Sequence, residues 1–270
     1  MSFFVSLSGL RNASTDLEVI SNNIANAESV GFKKSNAQFA DLVSGSSATD
    51  PRKTPGIGAT VSAISQDFAL GQLEQTGRAL DVAINGDGFI ATNDAISGEV
   101  SFTRNGNLQL VANGELQDAF GNPVQGFPLD ATGTPTSFTP SDITVPTTNA
   151  GGAALSSVGI DLRGVLSAVY TDGSVDPISQ VALATFPSTG GLNPIGLTKW
   201  EATAESGPPE FGQPGVGNFG QIRSGSLERS NVDLAEEMVA LLGAQRNFQA
   251  NARAIDTATA FTQTILNLQR

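Results

Sequence analysis

The chain contains no cysteine and no histidine. The first absence removes disulfides and thiolate metal sites, and with them the disulfide framework of a small extracellular domain. The second removes the commonest general base, the commonest metal ligand and every Ser–His or Cys–His nucleophile pair. Aromatic platforms of the kind that line sugar-binding clefts are scarce, since Trp200 and Tyr170 are the only residues of their types. Charged residues make up only 15% of the chain, and the net charge of −12 runs against nucleic-acid binding, which needs clustered Lys and Arg. No apolar run approaches the length of a bilayer span. The opening "MSFFVSLSGLR" lacks a basic n-region, a sustained apolar core and a small-residue cleavage site, so no cleaved leader is expected there. Together these absences weigh against catalysis without excluding it, since enzymes without histidine exist, and no cofactor or metal site is expected.

The ends of the chain carry a helical pattern. Read in sevens from Phe3, the a positions are Phe3, Leu10, Leu17 and Ile24, and the d positions Ser6, Ala13, Ile20 and Ala27. Seven of these eight are apolar, the signature of a seam that packs on another helix. Gly31 is a plausible stop. Near the C-terminus, Ser230 or Asp233 is placed to cap a second helix. Its heptad runs Leu234, Leu241, Phe248, Ile255 and Thr262 at a, and Glu237, Ala244, Asn251, Ala258 and Ile265 at d. No proline interrupts it, so about 35 residues of helix are expected, ending near the terminus.

Between the ends the pattern turns to short strands. "RALDVAINGDGFIATN" reads as a hairpin around Asn85–Gly88, not as a calcium loop, because the spacing of oxygen ligands fails. Further turns are expected at Asn105–Gly106, Asn113–Gly114, Gly121–Asn122 and Asp172–Gly173. "GVGNFG" (215–220) matches a dinucleotide fingerprint letter for letter. It does not open a helix after a strand, so it reads as a turn-rich loop. Trp200 is expected over the β core, and Lys33–Lys34 in a solvated bend or against an acidic partner. From Asp81 to Asp176 there are eleven Asp and Glu against Arg104 and Arg163, which predicts an acidic surface there.

The fold class that follows is α+β. Residues 1–27 and 230–270 form a discontinuous helical domain, 28–75 a linker or extended region, and 76–229 a mainly antiparallel β domain. Within the last, 130–157 is an irregular Pro/Thr/Gly-rich excursion. A two-helix pair has little core, so its outer sides need a further partner; the cheapest is another copy of the chain, and the alternative is docking on the chain's own β domain. The asparagines of "LEVISNNIANAESVGFK" fall at f, g and c, off the seam. Asn22, Asn23 and Asn26 are therefore expected on the sides of the first helix as inter-subunit contacts.

These segments also carry a resemblance. "SGLRNASTDLEVISNNIANAESVGFKKSNAQFADL" resembles the N-terminal signature of the bacterial flagellar rod and hook family, and "SGSLERSNVDLAEEMVALLGAQRNFQANARAIDTATAFTQTILNLQR" its C-terminal one. "TGRALDVAINGDGFI" and "FTRNGNLQLVANGELQDAFGNPVQGFP" match its β-domain motifs. "ISQDFALGQLEQTG", "YTDGSVDPISQVALATFPSTGGLNPIG" and "TILNLQR" are closer to the hook member than to the rod members. The departure is length, because 130–157 is too short for the outer domain that hook members carry.

The resemblance implies a non-enzymatic structural subunit of the flexible hook, a short form, with a rigid rod subunit as the alternative; the distant alternative from the residues alone is an extracellular β-domain ligand-binding protein or glycan enzyme. It implies export through the type III apparatus without cleavage and helical self-assembly outside the cell beneath a cap. The further partners it implies are the distal rod and the hook–filament junction proteins. The assembly residues expected on this reading are Leu10, Leu17, Ile20, Ile24, Leu234, Leu241, Phe248, Ile255 and Ile265, with Asn22, Asn23, Asn26 and Asn251. Burying the nine apolar ones on assembly would contribute on the order of 10 kcal/mol before ordering entropy.

Overall fold

The computed structural model describes residues 2–43, 56–94, 98–130 and 132–268, the side chains of 2, 265, 266 and 268 aside. The chain divides into two compact units, one of residues 1–27, 34–67 and 232–270, the other of 28–33 and 68–231. The first holds two helices and a hairpin, the second an antiparallel β body, so the α+β reading holds.

In the first unit, helix α1 (Ser2–Ala25) packs along α2 (Leu234–Leu268). α2 begins where Asp233 caps it, its carboxylate accepting from the backbone N–H of Ala235 (2.8 Å) and Glu236 (3.2 Å). It runs 35 residues. α1 ends at Ala25, before the expected Gly31. Its last turn tightens as the Asn26 N–H reaches the carbonyls of Asn22 and Asn23, both at 3.1 Å.

The segment expected as a linker contains a long antiparallel hairpin, β1 (Ser35–Val43) and β2 (Gly56–Gln66), which packs on α1. Strands of this kind escape a periodicity test because both their faces stay largely exposed. The hairpin crosses the helix closely at Gly58 (φ +126°). A Cβ there would press on the Ser8 side chain, which can turn aside, so it is the backbone angle that requires glycine.

The β unit is organised around two larger sheets. One has the order β10 (Ser141–Asp142), β9 (Gln125–Pro128), β13 (Val175–Val181), β12 (Val165–Tyr170) and β11 (Leu155–Ile160). The other has β15 (Asn193–Gly196), β16 (Lys199–Glu201), β6 (Val100–Thr103), β5 (Phe89–Asn93), β14 (Leu183–Thr185) and β17 (Glu210–Gly212). Three pairs complete it: β18 (Gln221–Ser224) with β4 (Val82–Asn85), β19 (Ser226–Glu228) with β3 (Leu73–Gln75), and β7 (Leu108–Leu110) with β8 (Leu116–Asp118).

Two turn signals close hairpins as expected, Asn113–Gly114 between β7 and β8 and Asp172–Gly173 between β12 and β13. Asn85–Gly88 and Asn105–Gly106 do not. β4 leaves to pair with β18, while β5 pairs with β6 and β14. The turn residues reverse the chain there, but the partner strand is chosen by long-range burial. Two apolar clusters fill the body. One is aliphatic, around Leu108, Leu116, Leu166 and Leu183. The other is aromatic, with Phe89, Phe102 and Trp200 packed edge to face against Phe68 and Phe186.

A buried ionic cluster ties the ends of the β unit's segments together. Lys33 and Glu228, both with fully buried side chains, meet at 2.6 Å, and Arg104 reaches the other Glu228 oxygen at 3.4 Å. Glu228 also accepts from the Gly71 N–H (3.0 Å), and Lys33 donates to the Ala69 carbonyl (2.7 Å). The expected solvated or partner-facing role of Lys33 is thus corrected. An acid 195 residues away in sequence claims it.

Candidate assembly interface

The helical unit has almost no apolar core. Among its described residues, the only hydrophobic side chains in the buried class are Ala13, Val19, Ile20 and Ala244. The helices run antiparallel, as Gly9 lies against Asn251 at one end and Asn23 bonds Glu237 at the other. A Cβ on Gly9 would meet the Asn251 side-chain oxygen at 2.6 Å, so the Asn251 amide packs into the space the glycine leaves.

The a and d residues of the heptads form the inner face of this pair. Ile20 is buried, and Leu10, Leu17, Ile24, Leu241, Phe248, Asn251 and Ile255 are half-buried. They therefore pack within one chain, in the helix pair that the heptads predicted. Leu234 and Phe3, at 42 and 40% exposure, and Thr262 are exposed. Ile265 lies outside the described side chains.

The three asparagines separate. Asn23 is buried: its amide N–H donates to the Ser35 carbonyl (2.8 Å) and to Glu237 (3.1 Å), and its oxygen accepts from the Ser35 N–H (2.9 Å). Glu237, also buried, takes Lys34 at 2.6 Å. Asn23 thus lies at the centre of a polar node joining α1, β1 and α2, which corrects its expected place on an outer helix side. The heptad put it at g, and the hairpin that covers g was not visible in the pattern. Asn26 is half-buried and bonds back to the Asn22 carbonyl (3.0 Å), while Asn22 is exposed. Beside the node, burial and then the charge of Glu237 raise the Asp16 carboxyl above its ordinary 3.8. The ion pair with Glu237 raises Lys34.

What the heptad reading missed is a second stripe. Met238, Val239 and Leu242 on α2 are 57, 71 and 55% exposed, and Phe4 and Phe261 are 72 and 69% exposed. The signal was present as spacing i, i+1 and i+4, outside the a/d frame. Such a concentration of exposed apolar side chains on a unit with so small a core marks an interaction surface.

Comparison with known proteins bears on what interacts there. Residues 4–33 match a family model described as flagella basal body rod protein. Residues 83–168 match a flagellar hook protein FlgE/F/G D1 domain, and 223–268 a flagellar basal body rod FlgEFG protein C-terminal domain. The flagellar basal-body rod protein FlgG of Bacillus subtilis is 36% identical over 282 residues, covering 100% of this chain and 99% of that protein. The chain belongs to the flagellar rod and hook family. Other relatives from the family are the flagellar hook protein FlgE of Salmonella typhimurium, 28% identical over 413 residues with full coverage of both, and the rod protein FlgG of Borreliella burgdorferi. The last is 32% identical over 278 residues, covering 97% of this chain and 96% of the relative. The three family segments fall on α1, on the strands from β4 to β12, and on β18 to α2.

Among the described residues of this family member there is no group of acids able to hold a metal ion, and no helix is long and apolar enough to cross a membrane.

Proposed function

We propose that this chain is a structural subunit of the flagellar axis, a short-form hook subunit that polymerises helically to carry torque from rod to filament. The reading as a polymer subunit rests on the helical unit, whose exposed Met238, Val239, Leu242, Phe4 and Phe261 need burial that one chain does not supply. Heterologous contacts between copies bury such surfaces without closing a ring. The β unit supplies a separate solid body with its own two cores. Its composition of seven Lys and Arg against seventeen Asp and Glu, net −10, keeps its surface soluble while the helices associate. On this reading the chain is not an enzyme. Its partners are other copies, the assembly cap, the distal rod, the junction to the filament and the type III export machinery. It resides outside the cell, in the flagellum.

The hook reading draws on the number of identical positions. The FlgE alignment at 28% of 413 positions holds about 116 identical residues, and the FlgG alignment at 36% of 282 holds about 102. Because 413 positions exceed the 270 residues here, at least 143 of them face no residue of this chain. On the hook reading these correspond to the outer domain that a short form would lack. The rod reading is favoured by one observation: the B. subtilis FlgG alignment runs across both chains with few unmatched positions.

Electron microscopy of basal bodies from cells lacking this protein separates the two. Rods without hook or filament are expected; loss of the rod itself would assign the chain to the rod.

A further inference from the structure

We propose that Asn85 is a destabilising modification site, the asparagine that the folded chain converts through a cyclic imide to aspartate and isoaspartate. The chain has three Asn-Gly dipeptides, Asn85–Gly86, Asn105–Gly106 and Asn113–Gly114. All three share the same intrinsic reactivity, since glycine puts no side chain in the way of attack by its own amide nitrogen. The fold decides among them.

Two of the three are held. The Asn105 amide oxygen accepts from the Asn107 N–H (3.1 Å), and buried Gly106 is so crowded that an added Cβ would overlap the Val82 carbonyl. The Asn113 amide oxygen accepts from the Glu115 N–H (3.0 Å), and the Gly114 N–H, whose nitrogen would attack, donates to the Val111 carbonyl (2.8 Å). Asn85 is exposed, and among the described residues its side chain has no hydrogen-bond partner. It is the last residue of β4, and the N–H of exposed Gly86 beyond it donates to no carbonyl among the described residues.

The reaction needs only water and base. The Gly86 nitrogen gives up its proton and bonds to the Asn85 side-chain carbonyl carbon, whose bond to the amide nitrogen breaks, and ammonia leaves with a proton from water. Water then opens the ring. Breaking the new bond gives aspartate; breaking the original peptide bond gives isoaspartate, with one more carbon in the main chain. The Gly86 carbonyl just beyond accepts from Arg104 (3.0 Å), and a Cβ on Gly86 would lie 3.0 Å from the Gly220 Cα. The added carbon displaces that carbonyl from a guanidinium that also bonds Glu228, and so loosens the β unit.

Trypsin separates the candidates, because cleavage after Arg78, Arg104 and Arg163 leaves Asn85 in 79–104 and the other two in 105–163. The full chain is aged at mildly alkaline pH, folded or in urea. Fragment masses score amide-to-acid conversion at each asparagine, and methyl transfer by an isoaspartyl methyltransferase scores the isoaspartyl product. In urea the three should convert at similar rates. In the folded chain Asn105 and Asn113 should lag Asn85 roughly tenfold, the cost of breaking one hydrogen bond before attack. The Trp200 melt should fall as Asn85 converts, while Asn85→Gln, whose longer side chain closes a larger ring far more slowly, keeps its melt. Folded-state conversion at Asn85 no faster than at the other two would overturn the proposal. So would none at Asn85 in the time the urea-unfolded chain converts, or a converted chain that melts with the fresh one.

Discussion

Glu228→Gln is expected to weaken the β unit by about 3 kcal/mol, at the low end of the 3–5 kcal/mol typical when one partner of a buried ion pair is neutralised. The residue's side chain is fully buried and its carboxylate meets Lys33 at 2.6 Å and Arg104 at 3.4 Å. Glutamine keeps the shape and can still accept from the Gly71 N–H, now 3.0 Å away. What it cannot do is balance two buried cations. Burial already lowers the Arg104 guanidinium from its ordinary value, and Glu228 is the main counterweight. The β unit comprises about 170 residues, for which each kcal/mol shifts the midpoint by roughly 2–4 °C, so the melt should fall by about 6–12 °C. Trp200, the only tryptophan, is buried in the β unit, so its fluorescence follows that unit alone. Lys33→Met added to Glu228→Gln removes one stranded cation and should recover part of the loss. A single-variant melt within 2 °C of the parent, or a double variant less stable than the single, would refute the claim that an uncompensated buried charge sets the cost.

Other outcomes follow from particular residues. Leu197 and Thr198 form the two-residue turn of β15 and β16 at φ 53° and 54°, a left-handed geometry that suits Asn-Gly and strains branched side chains. Leu197→Asn/Thr198→Gly should raise the Trp200 melt by about 1–2 kcal/mol; no gain would mean the turn is unstrained. Asp16 has a folded-state pKa above its ordinary value. The folded state therefore binds protons more readily than the unfolded one, and helical stability declines as pH rises from the ordinary value through the folded one. Asp16→Asn should remove that decline and raise the helical melt at neutral pH, read at 222 nm; a lower melt would contradict the burial argument. Asn23→Leu breaks the node with Ser35 and leaves Glu237 short of a donor. A loss of about 1–3 kcal/mol in the helical unit, with the Trp200 melt unchanged, is expected.

How much of this was legible in the sequence depends on how local the cause is. The Asp233 cap and the 35 residues after it are written within a few turns of chain, and both were readable. So was the hairpin at Asp172–Gly173, whose strands are neighbours. Asn85–Gly88 was legible only as a chain reversal, because β4 pairs with a strand nearly 140 residues downstream. Lys33 read as a surface residue by type, and Asn23 by its heptad position. Glu228 and Glu237, 195 and 214 residues away, bury them, and no spacing rule reaches that far. The assembly surface was half legible. The a/d seam was visible but serves the chain's own helix pair, while Met238, Val239 and Leu242 fall outside the heptad frame and needed a second stripe to be sought.

Amide hydrogen exchange on the chain, free in solution and as assembled polymer, tests the central claim most directly. If copies complete the small core of the helical unit, residues 2–25 and 234–268 exchange fast in the free chain and slow by orders of magnitude on assembly. The core strands of the β unit keep the same protection in both states. Helices equally protected in the free chain and the polymer would contradict the account.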